Sequence, residues 1–315
     1  MLTAKYCPGC LKPFEDRHIL YAFHDIDGTH SLIREWPPVM SIVLNDVIEN
    51  GLPDDFDSDF NRIRLINSTN TRPLPETDRF CIESAGLSAL TQMEWAIRRA
   101  VENCTVSVEC DAAVNSQKVQ LINSGVERFD DLPETAAMNA MLAEYTPRLF
   151  KLYEQVLNGY CRDKNLALAR REPDRFRVKG SFEFLKLLHA AGVKNYFVTG
   201  AVVERGMGMF EEVEGLGYPI GKGELIEDII GSTWTEKLPK DEIMAKLLKD
   251  LGADGAQVLV TGDGRSEISA GVKMGALTVS RLGINALRQR ELHTQLGTHL
   301  IVEDFSDPLI AKVFG

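Results

Sequence analysis

The sequence predicts an α/β protein with a parallel sheet, interrupted by a long helical insertion. From about Phe176 to the end, short apolar segments alternate with amphipathic segments of helical period, which is the pattern of βα units. Before Phe176, the chain has one isolated apolar segment near its start and then mainly helical periodicity. With 315 residues and 44% hydrophobic content, the chain can form one large domain or two.

The residues that interrupt the alternation are predicted to be mainly helical. The first predicted strand, HILYAF at 18–23, stands alone near the N-terminus. Helical periodicity covers residues 87–103 and 133–161. The polar, proline-containing residues 51–78 are predicted to form a connection, and their acidic stretch DDFDSDF is predicted to be a solvated turn rather than a metal-binding loop.

Four strands and three helices are predicted after Phe176. The strand-like segments are KNYFVTG, AQVLVTGDG, GALTVS and THLIVEDF. The segments with helical period and a glycine stop are SFEFLKLLHAAG, KDEIMAKLLKDLG and RSEISAGVKMG. Strands that alternate with helices form a parallel sheet, because each helix returns the chain to the edge where the preceding strand began.

Charge and hydropathy limit the partners of the chain. The net charge of −11 opposes binding to nucleic-acid backbones and to anionic membranes. No apolar run approaches the ~20 residues of a membrane span, and MLTAKYCPGC lacks the basic-then-apolar order of a signal peptide. We therefore expect a cytoplasmic protein whose partners are small molecules or proteins, and no feature indicates an oligomeric state.

The six cysteines are too sparse for a disulfide framework, and we expect them to be reduced. Cys7 and Cys10 form CPGC, which is half of a zinc site, and His18 and His24 lie downstream. The spacing between the two pairs is shorter than in finger-type sites. We favour an N-terminal turn made by the intervening proline and glycine over a zinc site.

Paired carboxylates follow the first predicted strand, in DIDGT. Residues two apart in a strand point to the same side, so Asp25 and Asp27 would project together from the carboxyl end of the strand, where open α/β sheets bind ligands. Two neighbouring carboxylates repel each other unless a cation or a shared proton lies between them. By itself, DxDG is equally typical of a turn with solvated aspartates, so other segments must decide.

Two later strands are also followed by groups that suit phosphate or metal. Thr199 and Gly200 offer a hydroxyl and a backbone N–H that can bind an oxyanion, although threonine ends many strands. Asp263 follows the next strand, and Glu267 lies four residues on, on the same face of the following helix. An ordinary strand-to-helix turn with an N-cap aspartate would look similar.

Two lysines, Lys237 and Lys240, lie at the start of a predicted helix. A cation opposes the helix dipole at this end, so its placement indicates a nearby anion. A solvated surface lysine is the commoner reason for such a residue.

In this order, the segments resemble the haloacid dehalogenase-like hydrolase superfamily. Its first motif, an apolar strand followed by DxDGT, is present at 25–29, and its second, a strand that ends in Ser or Thr, at Thr199. Its third is a lysine that opens a helix, and its fourth, GDxxxD or GDxxxE, is present at 262–267. The resemblance covers the N-terminal strand and nearly everything after Phe176. It implies a Rossmann-like three-layer core with a parallel sheet and a mobile lid.

The position of the insertion matches the family's helical cap, which selects the substrate. The resemblance therefore implies an N-terminal extension at 1–18, a core at 19–34 and 175–315, and a helical cap at 35–174. The connections are expected near REWPP and RREPDRF, where prolines stiffen the chain. Four large cap side chains could line a pocket or pack, and we favour packing: Trp36, Trp95, Arg98 and Arg99.

The activity that the resemblance implies is a Mg²⁺-dependent phosphatase, which hydrolyses a small phosphorylated metabolite through an aspartyl phosphate. Asp25 would attack phosphorus, while Asp27 would protonate the leaving oxygen and then deprotonate the hydrolytic water. The Asp25 carboxylate, the Asp27 backbone carbonyl and Asp263 would hold Mg²⁺, and Glu267 would order its waters. The phosphate-binding residues would be Thr199, Gly200 and Lys240.

The motif lysine has two candidates. Lys237 lies in KLP, loosely like the KPxP form of the third motif. Lys240 has the separation from Asp263 that is expected when the lysine opens the helix directly. We favour Lys240.

Three other activities are compatible with parts of this pattern. A phosphomutase similar to beta-phosphoglucomutase would use the same residues but return the phosphoryl group to its substrate. A phosphonatase would need a cap lysine for a Schiff base, and the candidates lie in no recognisable motif: Lys118, Lys151 and Lys164. A non-catalytic binding protein would usually lack key residues, and none is lost here. We therefore favour a phosphatase.

Overall fold

The structure, a computed structural model, describes residues 2–315 and divides into two compact units. The first, called the core unit, comprises residues 2–33, 165–233 and 238–315. The second, called the helical unit, comprises residues 34–164 and 234–237. The predicted cap spanned 35–174, whereas in the structure the chain returns to the core unit at residue 165. The selection of substrate by the helical unit stays a prediction.

All eight strands of the described chain lie in the core unit. They are β1 (Leu2–Ala4), β2 (Arg17–Ile19), β3 (Tyr21–His24), β4 (Lys194–Glu204), β5 (Asp228–Ser232), β6 (Val258–Gly262), β7 (Leu277–Arg281) and β8 (Leu300–Val302). Six of them form one parallel sheet in the order β5-β4-β3-β6-β7-β8, and β1 pairs with β2 in a separate antiparallel ribbon. The predicted α/β class with a parallel sheet is confirmed.

The helices are divided between the two units. Those of the helical unit are α1 (Trp36–Asn50), α2 (Asp59–Ser68), α3 (Pro75–Glu83), α4 (Ala89–Glu102), α5 (Ala112–Asn123) and α6 (Ala136–Leu157), which continues into a π-helical turn, Asn158–Arg162. The boundary between the units falls in α7 (Asp163–Ala169). Those of the core unit are α8 (Ser181–Ala190), α9 (Gly208–Gly215), α10 (Lys240–Asp250), α11 (Arg265–Lys273), α12 (Leu287–Leu296) and α13 (Pro308–Phe314).

Strand β3 lies inside the sheet because its side chains are apolar on both faces. Phe23 belongs to a buried cluster that includes Met244 of α10 and Ala270 of α11. Ala22 belongs to a different buried cluster, which includes Phe184 of α8 and Val313 of α13. Since neighbouring residues of a strand point to opposite faces, these two clusters place helices on both sides of the sheet and give the predicted three layers.

The predicted first strand is divided in the structure. Residues 18–19 belong to β2, which pairs with β1, and only 21–24 enter the main sheet. Residues of the predicted N-terminal extension pack on the core unit, since Leu2 and Ala4 are buried there and the Lys5 N–H donates to the Val313 carbonyl at 2.9 Å.

The prediction of a connection at 51–78 is wrong for α2. Ser58 caps this helix by accepting the Asn61 N–H. Its apolar residues give little periodic signal because Phe60 and Ile63 are exposed and Leu65 alone is buried. A polar helix of this kind resembles a loop in composition.

The cysteines and histidines near the N-terminus do not form one cluster. All six cysteines are free thiols, and the sulfurs of Cys7 and Cys10 lie 3.9 Å apart. His18 pairs with Thr3, whereas His24 is buried in the main sheet. Burial raises the pKa of the Cys10 thiol. Within residues 2–315, the one group of three or more metal-ligating side chains lies elsewhere.

Across residues 2–315, no helix combines the length and the apolar character needed to cross a membrane. Cytoplasmic localisation stays a prediction.

Candidate active site

The sheet register brings the predicted site residues to one edge. His24, the last residue of β3, pairs with Phe197 of β4 on one side and with Thr261 of β6 on the other. Two residues beyond these partners lie Thr199 and Asp263. Because all three strands are parallel, the residues that follow His24 lie at the same carboxyl edge as Thr199 and Asp263.

The DIDGT segment forms a tight turn directly after β3. The Asp25 N–H still donates to the Thr261 carbonyl at 2.9 Å, which holds this residue against β6. Gly28 has a φ of +76°, and a Cβ on it would lie 2.0 Å from Oδ2 of Asp263. Glycine is required here both for the backbone conformation and for the close approach of Asp263. Asp27 is half-buried and forms a β-bridge with Ser31.

Three carboxylates meet at this edge of the sheet. Ligand oxygens of Asp25, Asp263 and Glu267 all lie within 4.8 Å of one another. The Asp27 carboxylate is not part of this group, and the predicted contribution of this residue to metal binding was its backbone carbonyl. The group therefore combines the carboxylates from the first and fourth motifs.

Lys240 is the cation of this cluster. Its Nζ donates to Asp25 Oδ1 at 2.5 Å and to Glu267 Oε2 at 3.0 Å, and its side chain is only 2% exposed. It is the first residue of α10, so its ammonium has no support from the helix dipole and depends on the two carboxylates. Their charges outweigh the cost of burial and raise the pKa of Lys240.

Burial and mutual repulsion disfavour ionisation of the other two carboxyls. Burial, followed by the charges of Asp25 and Glu267, raises the pKa of Asp263 well above its ordinary value. Burial also raises the pKa of Glu267 to about 7, although Lys240 opposes the shift. One ammonium therefore does not neutralise three carboxylates at this depth.

Glu267 is fixed by the turn that precedes α11. Its Oε1 accepts the Gly264 N–H at 2.6 Å, while its Oε2 accepts from Lys240. A Cβ at Gly262 would lie 2.2 Å from Cγ of Glu267, so the glycine makes room for the acid. The spacing of GDGRSE thus directs Glu267 back towards the end of β6.

Thr199 lies within a strand rather than at its end. The prediction that the strand ends near Gly200 is wrong, because β4 continues to Glu204. Its pairing with β5 shifts register between Val198 and Val202. Within this irregular stretch the buried Thr199 hydroxyl accepts the Ala201 N–H at 3.1 Å.

Sequence reasoning assigned no role to two residues at the DIDGT turn: Arg281, which contacts it, and Thr29, which is its last residue. Arg281 ends β7 and donates from Nη1 to the Gly28 carbonyl at 3.0 Å. Thr29 donates from Oγ1 to Asp25 Oδ2 at 3.2 Å. Thr29 was quoted only as part of the motif. Arg281 could have been predicted as a site residue, because it ends the strand next to β6 and so lies at the carboxyl edge of the sheet.

A buried polar network lies behind Asp25. His24 Nδ1 lies 2.7 Å from the Thr261 hydroxyl and 3.2 Å from His30 Nε2, and His30 Nδ1 lies 2.7 Å from the Ser181 hydroxyl. Burial lowers the pKa of His24 to about 4 and that of His30 well below its ordinary value. Both rings are therefore neutral and fix the backbone on each side of the paired aspartates.

The other lysines that were considered lie in the helical unit. Lys237 donates to Glu94 at 3.3 Å, so the structure places this lysine with Glu94 and Lys240 with Asp25. Among the phosphonatase candidates, Lys151 and Lys164 are exposed. The third, Lys118, is buried and donates to Glu134 at 2.8 Å.

The residues of the cluster suit a hard divalent cation. Carboxylate oxygens are the ligands that Mg²⁺ and similar ions prefer. Burial and neighbouring carboxylates raise the pKa values of Asp263 and Glu267, and an added cation would oppose both effects. A cation held by Asp25, Asp263 and the backbone of Asp27, with Glu267 beside it, would have this effect.

Comparison with solved structures agrees with this architecture. A predicted phosphatase from Clostridium acetobutylicum matches with a TM-score of 0.53 and 14% identity, over 94% of this chain and 98% of that one. A protein from Lactobacillus delbrueckii subsp. bulgaricus with the provisional name phosphoglycolate phosphatase matches with a TM-score of 0.50 and 14% identity, over 95% of this chain and 99% of that one. The chain has the haloacid dehalogenase-like fold. The resemblance stated from the motifs is thus confirmed at the level of the fold.

No protein-family model matches the chain, and no curated protein matches its sequence. At 14% identity, the haloacid dehalogenase-like fold is what the solved structures share with this protein. Its activity has to be argued from the residues at the sheet edge.

Proposed function

We propose that the protein is a Mg²⁺-dependent phosphatase that hydrolyses a small phosphate monoester through an aspartyl phosphate on Asp25. The observation that supports this most directly is the buried contact of Lys240 with Asp25, beside Asp263 and Glu267. A nucleophilic carboxylate, a fixed cation and two further carboxylates are the groups that phosphoryl transfer by an aspartate requires.

Charge compensation is the first requirement of this reaction. A phosphate monoester is doubly anionic near neutral pH and is repelled by the Asp25 carboxylate. Bound Mg²⁺ would supply positive charge to both the phosphate and the nucleophile. Lys240 supplies part of the same charge from the protein, because its Nζ already lies 2.5 Å from Asp25 Oδ1.

The chemical steps assign one role to each aspartate. An Asp25 oxygen forms a bond to phosphorus while the bond from phosphorus to the leaving oxygen breaks, and Asp27 gives its proton to that oxygen. Asp27 then takes a proton from water, the water oxygen bonds to phosphorus, and the bond from phosphorus to Asp25 breaks. Inorganic phosphate leaves, and both aspartates return to their starting states.

Phosphate binding is assigned to the neighbouring strand and to Lys240. The Thr199 hydroxyl and the Gly200 N–H follow the part of β4 that pairs with β3, so they lie at the edge where Asp25 emerges. Thr29, within the turn, donates to Asp25, and Arg281, at the end of β7, donates to the Gly28 carbonyl, so both act as positioning residues.

A panel of phosphorylated metabolites assayed with Mg²⁺ tests the proposal. We expect phosphate release from at least one of them, loss of activity in EDTA and recovery when Mg²⁺ is added. Mn²⁺ or Co²⁺ can replace Mg²⁺, because oxygen ligands discriminate poorly among such ions. Full activity in metal-free buffer would contradict the assignment.

The same assay separates a phosphatase from a phosphomutase, which would use the same residues. In water enriched in ¹⁸O, hydrolysis places the heavy oxygen in the released phosphate. Transfer of the phosphoryl group to a second position of the substrate leaves ¹⁸O out of the product. The second result would replace the phosphatase by the phosphomutase.

A further inference from the structure

The helical unit contains a cavity of about 580 Å³, and all of its lining residues belong to this unit. Its walls come from α4, α5, α6, the residues between α5 and α6, and the segment 234–237. This volume lies within the range of ~300–1,000 Å³ that is typical of sites for small molecules. None of the lining residues belongs to the carboxylate cluster of the core unit.

A buried network of charges forms part of the cavity wall. Arg98, for which packing was favoured, is 2% exposed and donates to Glu94 at 2.9 Å and to Glu134 at 2.9 Å. Lys118 donates to the same Glu134 oxygen at 2.8 Å, and Lys237 donates to Glu94 at 3.3 Å. Three cations thus face two carboxylates. The excess of positive charge belongs to these four contacts alone, since the cavity lining also contains Arg128, Glu127 and Asp130.

The hydrogen-bond capacity of the two lysines is not used up. The Arg98 guanidinium is occupied by Glu94, Glu134 and Asn115. Each lysine, in contrast, makes one hydrogen bond within residues 2–315, and an ammonium has three donors. Both ammonium groups also lie near the ring of Phe129, Lys118 at 5.7 Å and Lys237 at 5.5 Å from its centre. Two lysines on one aromatic ring define the cationic part of the cavity.

Two polar atoms of the wall point to the rest of a ligand. Within the described residues, Oε1 of Glu134 and the Thr146 hydroxyl are buried without a hydrogen-bond partner. The Glu134 side chain is 3% exposed and Thr146 is 9% exposed. Burial opposes ionisation of Glu134, but the hydrogen bonds from Lys118 and Arg98 outweigh it and lower its pKa. A buried carboxylate oxygen and a hydroxyl without partners are costly, and both suit a ligand that donates hydrogen bonds.

We propose that this cavity binds a small hydroxylated oxyanion, with its anionic group at Lys118 and Lys237 and a hydroxyl at Glu134 and Thr146. The oxyanion is a carboxylate or a phosphate, since a lysine binds either as a point charge. The site goes beyond the proposed phosphatase activity, because no residue of the carboxylate cluster takes part in it.

Isothermal titration calorimetry of the full chain in metal-free buffer tests this site. The probes are D-glycerate, glycerol 3-phosphate and propionate, which separate carboxylate from phosphate and a hydroxylated from a plain anion. We expect one of the two hydroxylated probes to bind more tightly than propionate. Absence of binding for all three at about 10 mM would overturn the proposal, since it excludes even millimolar affinity.

Matched variants assign the binding to this cavity. Lys237→Met, at a side chain that is 15% exposed, should weaken binding about tenfold or more, and Lys118→Met should do the same if its melting temperature shows that it folds. Lys151→Met removes an exposed lysine of the same unit and should leave binding unchanged. Unchanged binding in Lys237→Met would overturn the proposal even if Lys118→Met does not fold.

Two further variants sharpen the result. Thr146→Val keeps the shape of the side chain, and should lower the affinity for the hydroxylated probe without changing that for propionate. Lys240→Met tests whether the probe binds in the core unit instead. If Lys240→Met loses binding and Lys237→Met keeps it, the ligand lies at the candidate active site and the proposal is overturned. The outcome is independent of the phosphatase activity, because binding is measured without metal and without turnover.

Discussion

The two units of the protein each bury lysines among carboxylates, but the balance of charge is opposite. In the core unit, three carboxylates face Lys240, and burial raises the pKa values of Asp263 and Glu267. In the helical unit, three cations face Glu94 and Glu134, and the pKa of Glu134 is lowered. Acidic side chains are in excess in the carboxylate cluster of the core unit, and basic side chains are in excess in the hydrogen-bonded network of Arg98, Lys118 and Lys237.

The opposite balance of charge at the two sites indicates which kind of ligand each would bind. A buried group of like charges is tolerated when a counter-charge can be added, so the first site suits a cation and the second an anion. The two candidates for the motif lysine, Lys237 and Lys240, fall on opposite sides of this comparison. Lys237 and Lys240 are three positions apart in the sequence, yet one lies in the network of the helical unit and the other in the carboxylate cluster of the core unit.

The largest effect is expected from loss of the nucleophile. Asp25→Asn should lower phosphatase turnover by about 10⁴-fold or more, because amide nitrogen and oxygen do not form the aspartyl phosphate. The buried pair with Lys240 loses its charge, so folding is checked by circular dichroism. Asp241→Asn, at an exposed acid in the first turn of α10, is the matched control. A tenth of the wild-type rate in Asp25→Asn would refute the role of this residue.

The next effect concerns the cation of the core unit. Lys240→Met should lower turnover by about 10²- to 10³-fold, since a fixed charge next to the reacting phosphoryl group is lost. Lys246→Met, at an exposed lysine of the same helix that pairs only with Asp250, should keep the wild-type rate. Equal rates for the two variants in a steady-state assay would contradict the role of Lys240 in phosphoryl transfer.

Buried histidines should make the core unit lose stability in acid, and the raised pKa values of Asp263 and Glu267 should offset part of this loss. All six histidines lie in the core unit, and burial lowers the pKa values of His293 and His299 from 6.5 to about 4, with Arg17 and Lys12 adding to the effect at His299. The unfolded chain therefore binds protons that the folded chain does not, and stability is complete above pH 6.5 and falls as the pH drops towards 4. These two residues should cost about 3 kcal/mol between pH 7 and pH 5.

The two units offer separate probes for this measurement. The three tryptophans, Trp36, Trp95 and Trp234, all lie in the helical unit, so their fluorescence reports on it, while histidine NMR signals report on the core unit. In urea at pH 5, the histidine signals should change at a lower denaturant concentration than the fluorescence. His293→Gln with His299→Gln should remove part of the pH dependence, because His24 and His30, whose pKa values are also lowered by burial, remain in the variant. If the histidine signals and the tryptophan fluorescence change at the same urea concentration at every pH, the two units do not differ in their stability towards acid.

The smallest effect is expected on the surface of the helical unit. Lys151 pairs with Asp57 at 3.2 Å, and both side chains are more than half exposed, 60% and 71%. Lys151→Met should change the free energy of unfolding by less than about 0.5 kcal/mol, because water screens the pair. Urea denaturation measures this change. A loss as large as that of Lys118→Met would mean that burial does not distinguish the two lysines.

Much of the core unit could be predicted because its signals are local. Strands such as β6 and helices such as α10 are apolar or periodic over their own length, and DIDGT and GDGRSE place acids directly after strands. Helix α2 was missed because it is mostly polar and two of its apolar side chains, Phe60 and Ile63, are exposed. The extension of β4 was missed because a register shift, not composition, determines it.

The network of the helical unit could not be predicted from local patterns. Arg98 and Glu134 come from separate elements, and Lys237 joins them from beyond β5, so only the folded chain brings the three together. Charged residues on amphipathic helices are usually solvated, and the sequence gives no sign that these are buried. The preference for packing at Arg98 described its burial but not its place in a cavity wall.

The segment 234–237 belongs to the helical unit although core-unit chain flanks it on both sides. Within that unit, Trp234 packs 5.5 Å from Phe150 and Lys237 pairs with Glu94. An engineer who wishes to exchange the helical unit for that of another protein must therefore move two pieces of chain. A graft of residues 34–164 alone would leave Trp234 and Lys237 behind, facing foreign partners. Chimeras with one and with both pieces exchanged would differ in the wall of the cavity.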